Sequence, residues 1–157
     1  MRTLVVCRHA KAASQEDVDD FDRPLTERGR RDAGACGRWL REHVPGIERA
    51  LCSPAVRART TWELVTGELG TVPTAHEPRI YEATAGELIA LVNELPDEVG
   101  TAALVGHNPG LQDLVSVLTG TQHELKTSGV AVLAVDRTWA AAEPRAAELQ
   151  EISHSRG

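Results

Sequence analysis

A short apolar run that breaks off in basic and imidazole side chains constrains this chain more than any other stretch: Leu4-Val5-Val6-Cys7, followed at once by Arg8-His9-Ala10-Lys11. Consecutive apolar residues with valine at the centre read as a strand buried on both faces, the form strands take in parallel, helix-covered sheets. Polar groups just beyond the carboxyl end of such a strand stand where open α/β sheets bind their ligands. Arg8 and His9 are therefore the first candidate site residues. Taken alone, the segment is equally well read as a charged turn after a strand. What separates the two readings is that later stretches deliver further groups of the same chemistry.

A chain of 157 residues is most simply one domain spanning 1–157, long enough for a real core. A formal charge of −6 and only five aromatic side chains argue against a nucleic-acid partner, because there is neither a basic footprint nor a set of stacking platforms. No apolar run approaches the ~18 residues that span a bilayer, and Arg8 follows the first apolar residues too soon for a secretory leader. The expectation is a cytoplasmic chain without a membrane partner. Cys7, Cys36 and Cys52 are odd in number and lack C-x-x-C spacing, so they read as small buried hydrophobes, not a disulfide framework or a zinc site.

The acidic segment 16–22, closed by Pro24, reads as a solvated, mobile surface loop. Thr26 can cap a helix in which Ala33, Cys36, Leu40 and Val44 recur at helical spacing, ended by Pro45-Gly46. Ile47 to Cys52 reads as a second strand. Ser53-Pro54 then reads as a hydroxyl N-cap followed by proline at the first helical position, with Ala58, Trp62, Val65 and Leu69 on the inner face. Arg57 falls in that first turn, where the helix dipole disfavours a cation unless an anion is to be met; Arg59 competes for the role.

Residues 70–80 suit a loop and a short strand ending near Ile80. Thr84 to Glu87 form a capping box that opens a third helix, with Leu88, Leu91, Val92 and Leu95 inward. Glu87 is thereby explained structurally, whereas Glu82, just ahead of the helix, is not. Thr101 to Val105 is a buried strand followed directly by Gly106-His107-Asn108-Pro109, where Asn108 can cap and Pro109 can start a fourth helix. A core or cap-supporting histidine is the plain account of His107, and the repeated strand-to-helix architecture weighs against it. Val130 to Val135 is a further strand, and Glu148 to Ile152 a last one at the edge. This alternation implies an α/β fold: a three-layer α/β/α sandwich on a mostly parallel central sheet.

Two arginines and two histidines at strand ends and helix termini suit a dianionic phosphoryl group, which arginine forks bind through paired hydrogen bonds. Three other hydrolase designs fail on spacing. A thiol phosphatase needs Cys-x5-Arg, but Ala13, Glu42 and Ala58 stand at the required positions. There is no G-x-x-x-x-G-K-[ST] nucleotide loop and no H-x-E, H-E-x-x-H or acidic metal box, so neither a metal nor a cofactor is expected. The nucleophile left is an imidazole, and His9 beside Arg8 is better placed than His107.

Arg8-His9-Ala10 after an N-terminal strand, Ser53-Pro54-Ala55-Val56-Arg57-Ala58 and Gly106-His107-Asn108-Pro109 together resemble the signature of the histidine phosphatase superfamily, with its phosphoglycerate mutase-like fold. Within it the chain is most similar to the short SixA-like phosphohistidine phosphatases, whose Arg-Pro-Leu-Thr segment Arg23-Pro24-Leu25-Thr26-Glu27-Arg28-Gly29 resembles. The resemblance implies that His9 attacks phosphorus to form a phosphohistidine enzyme while Arg8, Arg57 and His107 hold the phosphoryl oxygens. His107 is most useful there as a cation. Glu82 stands where larger members keep the carboxylate that protonates the leaving group, and Lys11 and Asn108 are further substrate-binding candidates. The implied substrate is a phosphorylated protein carrying phosphohistidine; a small phosphoester or a non-catalytic phospho-ligand module is the alternative. Ala10 replaces the family's usual glycine, which questions how closely the backbone approaches phosphate. The short segments 12–24 and 70–80 leave no room for a helical cap, and so disfavour a mutase, which must enclose its intermediate.

Overall fold

The computed structural model describes all 157 residues, Met1 to Gly157. Strand β1 (Arg2–Arg8) is followed by helix α1 (Glu27–His43), β2 (Arg49–Cys52), α2 (Val56–Leu69), β3 (Thr74–His76), α3 (Ala85–Asn93), β4 (Thr101–Gly106), α4 (Gly110–Thr119), β5 (Gly129–Val135) and β6 (Ala147–His154). The six strands form one sheet in the order β3-β2-β4-β1-β5-β6. β3, β2, β4 and β1 pair in parallel, whereas β5 runs antiparallel to both β1 and β6.

The apolar run of β1 divides between two cores, as the two-residue period of a strand requires. Leu4 and Val6 face one core with Leu104, Leu133 and the inner residues of α3 and α4. Val5 and Cys7 face the other with Val105, Val132 and the inner residues of α1 and α2. Both faces of the sheet are therefore covered by helices, which is why Leu4 to Cys7 of β1 and Ala102 to Val105 of β4 are apolar without a break. The three layers expected from the sequence are present.

Sheet order also places the site. β1 lies directly beside β4, with Arg8 paired to Gly106, and β4 lies directly beside β2, with Val105 paired to Cys52. All three run the same way, so the segments that follow them emerge on one rim. His9 N donates to Gly106 O at 3.1 Å and Ser53 N donates to Val105 O at 3.0 Å, extending the ladders one residue past the strands.

Several boundaries differ from the sequence expectation. β2 starts at Arg49, two residues later than expected, although Glu48 N still donates to Thr101 O at 2.9 Å and the Glu48 carboxylate accepts from the Gly100 and Thr101 amides. Only Thr74–His76 of the 70–80 stretch pairs with the sheet; Pro78 to Ile80 form a 3-10 turn capped by the Glu77 carboxylate. α2 begins at Val56, so Ser53 is not its N-cap. α4 begins at Gly110 with Pro109 in the cap position, one residue later than Asn108 would place it.

Candidate active site

His9 closes β1 and is 7% exposed. Its Nδ1 lies 2.8 Å from Ala10 O, and a carbonyl can only accept, so Nδ1 carries the proton and Nε2 of the neutral ring keeps its lone pair. Burial, above all, pushes the imidazole down to about 3, and the neighbouring His107, Arg57 and Arg8 push the same way against the Ala10 hydrogen bond. The ring is thus a neutral base throughout the physiological range, the state an attacking imidazole needs.

His107 follows β4 and faces His9 with ring centroids 5.2 Å apart. Its Nε2 is 2.8 Å from the Ser53 hydroxyl, whose oxygen accepts from Ala55 N at 3.2 Å; when that hydroxyl donates to Nε2, the neutral ring carries its N–H on Nδ1. Burial, then Arg57, lower His107 to about 4, with Asp20 acting in the opposite sense. The sequence reading has His107 as a cation on the phosphoryl group; in the chain without a ligand its surroundings favour the neutral ring instead. Desolvation beside two guanidinium groups keeps this ring neutral, so it offers an N–H and not a full charge.

Arg8 and Arg57 supply the fixed charge. Arg8 leaves the end of β1 and donates from Nη1 to Leu125 O at 3.1 Å. Arg57, 5% exposed in the first turn of α2, donates from Nη1 to Asp20 O at 2.6 Å and from Nη2 to Asp20 Oδ2 at 3.0 Å. The Tyr81 hydroxyl donates to the same Oδ2 at 2.5 Å. The acidic loop is thus more than a solvated excursion: one of its carboxylates is built into the site. Arg8 Nε, Arg57 Nε and His107 Nδ1 are buried without any hydrogen-bond partner in the protein. Buried donors are nearly always satisfied, and three orphans on adjacent residues of one site mark a place where an acceptor belongs.

These residues line one cavity of about 680 Å³, together with Lys11, Arg23, Glu82 and Asn108. Three arginines and a lysine line it, and its chemistry is that of an oxyanion receptor. Residues 4–109 match the model of the histidine phosphatase superfamily, branch 1. The chain belongs to that superfamily. An uncharacterized protein of Mycobacterium tuberculosis is 39% identical over 90% of this chain and 95% of its own length. The phosphohistidine phosphatase SixA of Escherichia coli is 30% identical over 86% of each. In structure, a Nakamurella multipartitia chain assigned as a SixA phosphohistidine phosphatase superposes with a TM-score of 0.89 at 32% identity, covering 98% of this chain and 96% of that one.

In this histidine phosphatase the residues expected from the sequence are brought together unevenly. Arg8, His9, Arg57 and His107 meet at the cavity floor. Glu82 lies at its edge, exposed, with its backbone at φ 61°. Lys11 lines the rim, also exposed. Asn108 lines the cavity too, but its side chain is committed elsewhere: Nδ2 donates to Leu125 O at 2.7 Å and Oδ1 accepts from Gln112 N at 3.2 Å. The Ala10 methyl is fully buried against Leu25 and Ala33, away from the cavity, which answers the concern over the missing glycine.

Three participants of the histidine phosphatase site were hidden in the sequence. Ser53 looks like a helix cap and instead orients His107. Thr61 looks like any helical threonine, yet its buried hydroxyl donates to Arg57 O and accepts from Ala10 N at 2.9 Å, tying the His9 turn to the Arg57 turn. Asp20 sits in a run of five acidic residues, and the fold alone distinguishes it. No three His, Cys, Asp or Glu side chains cluster as a metal ion would need, and no helix is long and apolar enough to cross a membrane.

Proposed function

We propose that this chain is a cytoplasmic phosphohistidine phosphatase that works without a metal, through a phosphohistidine intermediate on His9. One observation carries the reading: His9 is buried and neutral, with its proton committed to Ala10 O, beside two guanidinium groups and a second imidazole. The lone pair of Nε2 attacks phosphorus as the bond from phosphorus to the substrate's nitrogen or oxygen breaks. Arg8, Arg57 and the N–H of His107 hold the three equatorial oxygens, where charge is greatest in the loose transition state. Water then attacks the phosphoryl group on Nε2, which releases inorganic phosphate and restores the ring.

Protein-borne phosphohistidine is favoured for two reasons. The chain is similar in length and fold to proteins named as phosphohistidine phosphatases. Its cavity also lacks a helical cap, so a substrate attached to a folded partner can enter. A leaving imidazole needs little help from an acid.

Glu82 supports a second reading, hydrolysis of small phosphoesters. A glutamate held at positive φ carries backbone strain of about 1–3 kcal/mol, and such strain concentrates where a side chain is needed for function. In this reading the Glu82 carboxyl group, at the cavity edge, protonates a departing alkoxide and then takes a proton from the attacking water.

Rates for a phosphohistidine protein and for a panel of alkyl and aryl phosphates, measured with and without a chelator, test both readings. We expect the phosphohistidine substrate to have the higher kcat/KM, no effect of chelator, and loss of all turnover in His9→Ala. Glu82→Gln should slow the alkyl phosphates more than phosphohistidine. Preference for small esters would favour the second reading, and sensitivity to chelator or an active His9→Ala would refute both.

A further inference from the structure

Residues 12–24 leave the rim just after the His9 turn and return to it at Leu25. The base of this loop is pinned by Ala13 N donating to Pro24 O at 2.8 Å and by a bridge between Ala12 and Leu25. Glu16, Asp17, Asp19 and Asp22 make no side-chain hydrogen bond, whereas Asp20 makes three. Its Oδ2 takes Arg57 Nη2 at 3.0 Å and the Tyr81 hydroxyl at 2.5 Å, and its Oδ1 takes Arg23 Nε at 3.0 Å. Its backbone carbonyl takes Arg57 Nη1. One residue of an exposed loop therefore grips both terminal nitrogens of a buried arginine.

A carboxylate inside an oxyanion receptor repels the ligand, so its presence needs a compensating role. Arginine is long and loses much rotamer freedom when fixed. Here the grip uses one N–H on each terminal nitrogen and leaves the other N–H groups of the planar fork pointing in a set direction. The same carboxylate holds Tyr81, whose ring meets His107 edge-on at 5.5 Å and lies 5.9 Å from the Arg57 guanidinium carbon. We propose that Asp20 is a positioning residue of the active site: it clamps Arg57 from the loop side so that the free N–H groups face the phosphoryl oxygens, and it holds Tyr81 against His107.

This inference rests on Arg57 binding the phosphoryl group. Two other roles for Asp20 make different predictions. As a proton donor it would have to keep its proton at neutral pH, yet the Tyr81 hydroxyl above all, then Arg57 and Arg23, hold the carboxyl down at about 2. As an internal anion competing with substrate, its removal would tighten binding.

The test is equilibrium binding of inorganic phosphate, with steady-state kinetics on a phosphohistidine peptide, for the full chain and for Asp20→Ala, Asp20→Asn, Arg57→Ala and the Asp20→Ala/Arg57→Ala pair. For Asp20→Ala we expect about tenfold weaker phosphate binding and a similar rise in KM, with kcat changed by less than about threefold, as loss of a charge-assisted contact that acts on binding implies. Asp20→Asn keeps an oxygen acceptor and should recover most of the loss. In the Arg57→Ala background, removing Asp20 should cost clearly less than it does in the wild type, because only its hold on Tyr81 is then left to lose and positions that act through one another are not additive. Unchanged or tighter phosphate binding in Asp20→Ala, or an undiminished effect in the Arg57→Ala background, would overturn the clamp alone. A wild-type chain indifferent to Arg57→Ala would overturn the reading of Arg57, and the clamp with it.

Discussion

Two imidazoles 5.2 Å apart, between two guanidinium groups, cannot both hold a proton without a counter-charge. Burial settles the matter toward neutrality for both, with His9 lowered to about 3 and His107 to about 4. For the mechanism proposed above, the consequence is a nucleophile that needs no base to deprotonate it. Nitrogen NMR of the six histidines should therefore show His9 and His107 still neutral at pH 5.5, where an ordinary histidine with a pKa near 6.5 is mostly charged. Protonation of either ring at about pH 6 would contradict this electrostatic account. At this scale the sequence was informative about residues that end strands, because Arg8, His9 and His107 interrupt apolar runs. It was silent on Ser53, whose partner His107 lies 54 positions away. Local capping chemistry gives no sign of such a distant contact.

Elements position these side chains through close backbone approach. The turn carrying Tyr81, Glu82 and Ala83 rests on the start of α4, where a Cβ added at Gly110 would lie 2.3 Å from Ala83 O. That oxygen is backbone and cannot swing aside, so Gly110→Ala must push the turn outward. We expect a loss of about 1–3 kcal/mol of stability, of the size overpacking brings, read from urea denaturation. An alanine variant as stable as wild type would show that the turn is not seated as described. The Thr84–Glu87 capping box was legible because both of its hydrogen bonds close within four residues. The short strand of the 70–80 stretch is present as β3 but ends at His76 and not near Ile80, because Pro78 and the Glu77 cap favour a 3-10 turn that the mixed composition does not announce. The acidic loop conceals its role for a related reason: its five carboxylates look alike until the fold brings Arg57 and Tyr81 to one of them.

For the whole molecule, the layered architecture followed from strand and helix alternation, since strands apolar at successive positions need cover on both faces. What alternation does not encode is strand order, and it is the adjacency of β1, β4 and β2 that gathers the site on one rim. Building that site from buried neutral histidines has a cost in acid. Both have folded pKa values below the unfolded value near 6.5, so the unfolded chain takes up protons that the folded chain refuses. Stability should therefore fall as pH drops from about 6.5 toward 4, by up to about 1.4 kcal/mol per pH unit for each histidine. Replacing both by Gln should flatten that slope in denaturation curves taken between pH 7 and 4.5, and parallel curves would contradict it. The central claim, that His9 carries the phosphoryl group between substrate and water, is tested most directly by rapid quenching of a radiolabelled phosphohistidine substrate and mapping of the labelled peptide. The account predicts an acid-labile, base-stable phosphoryl group on His9. A label on any other residue, or turnover through no phosphoenzyme at all, would contradict it.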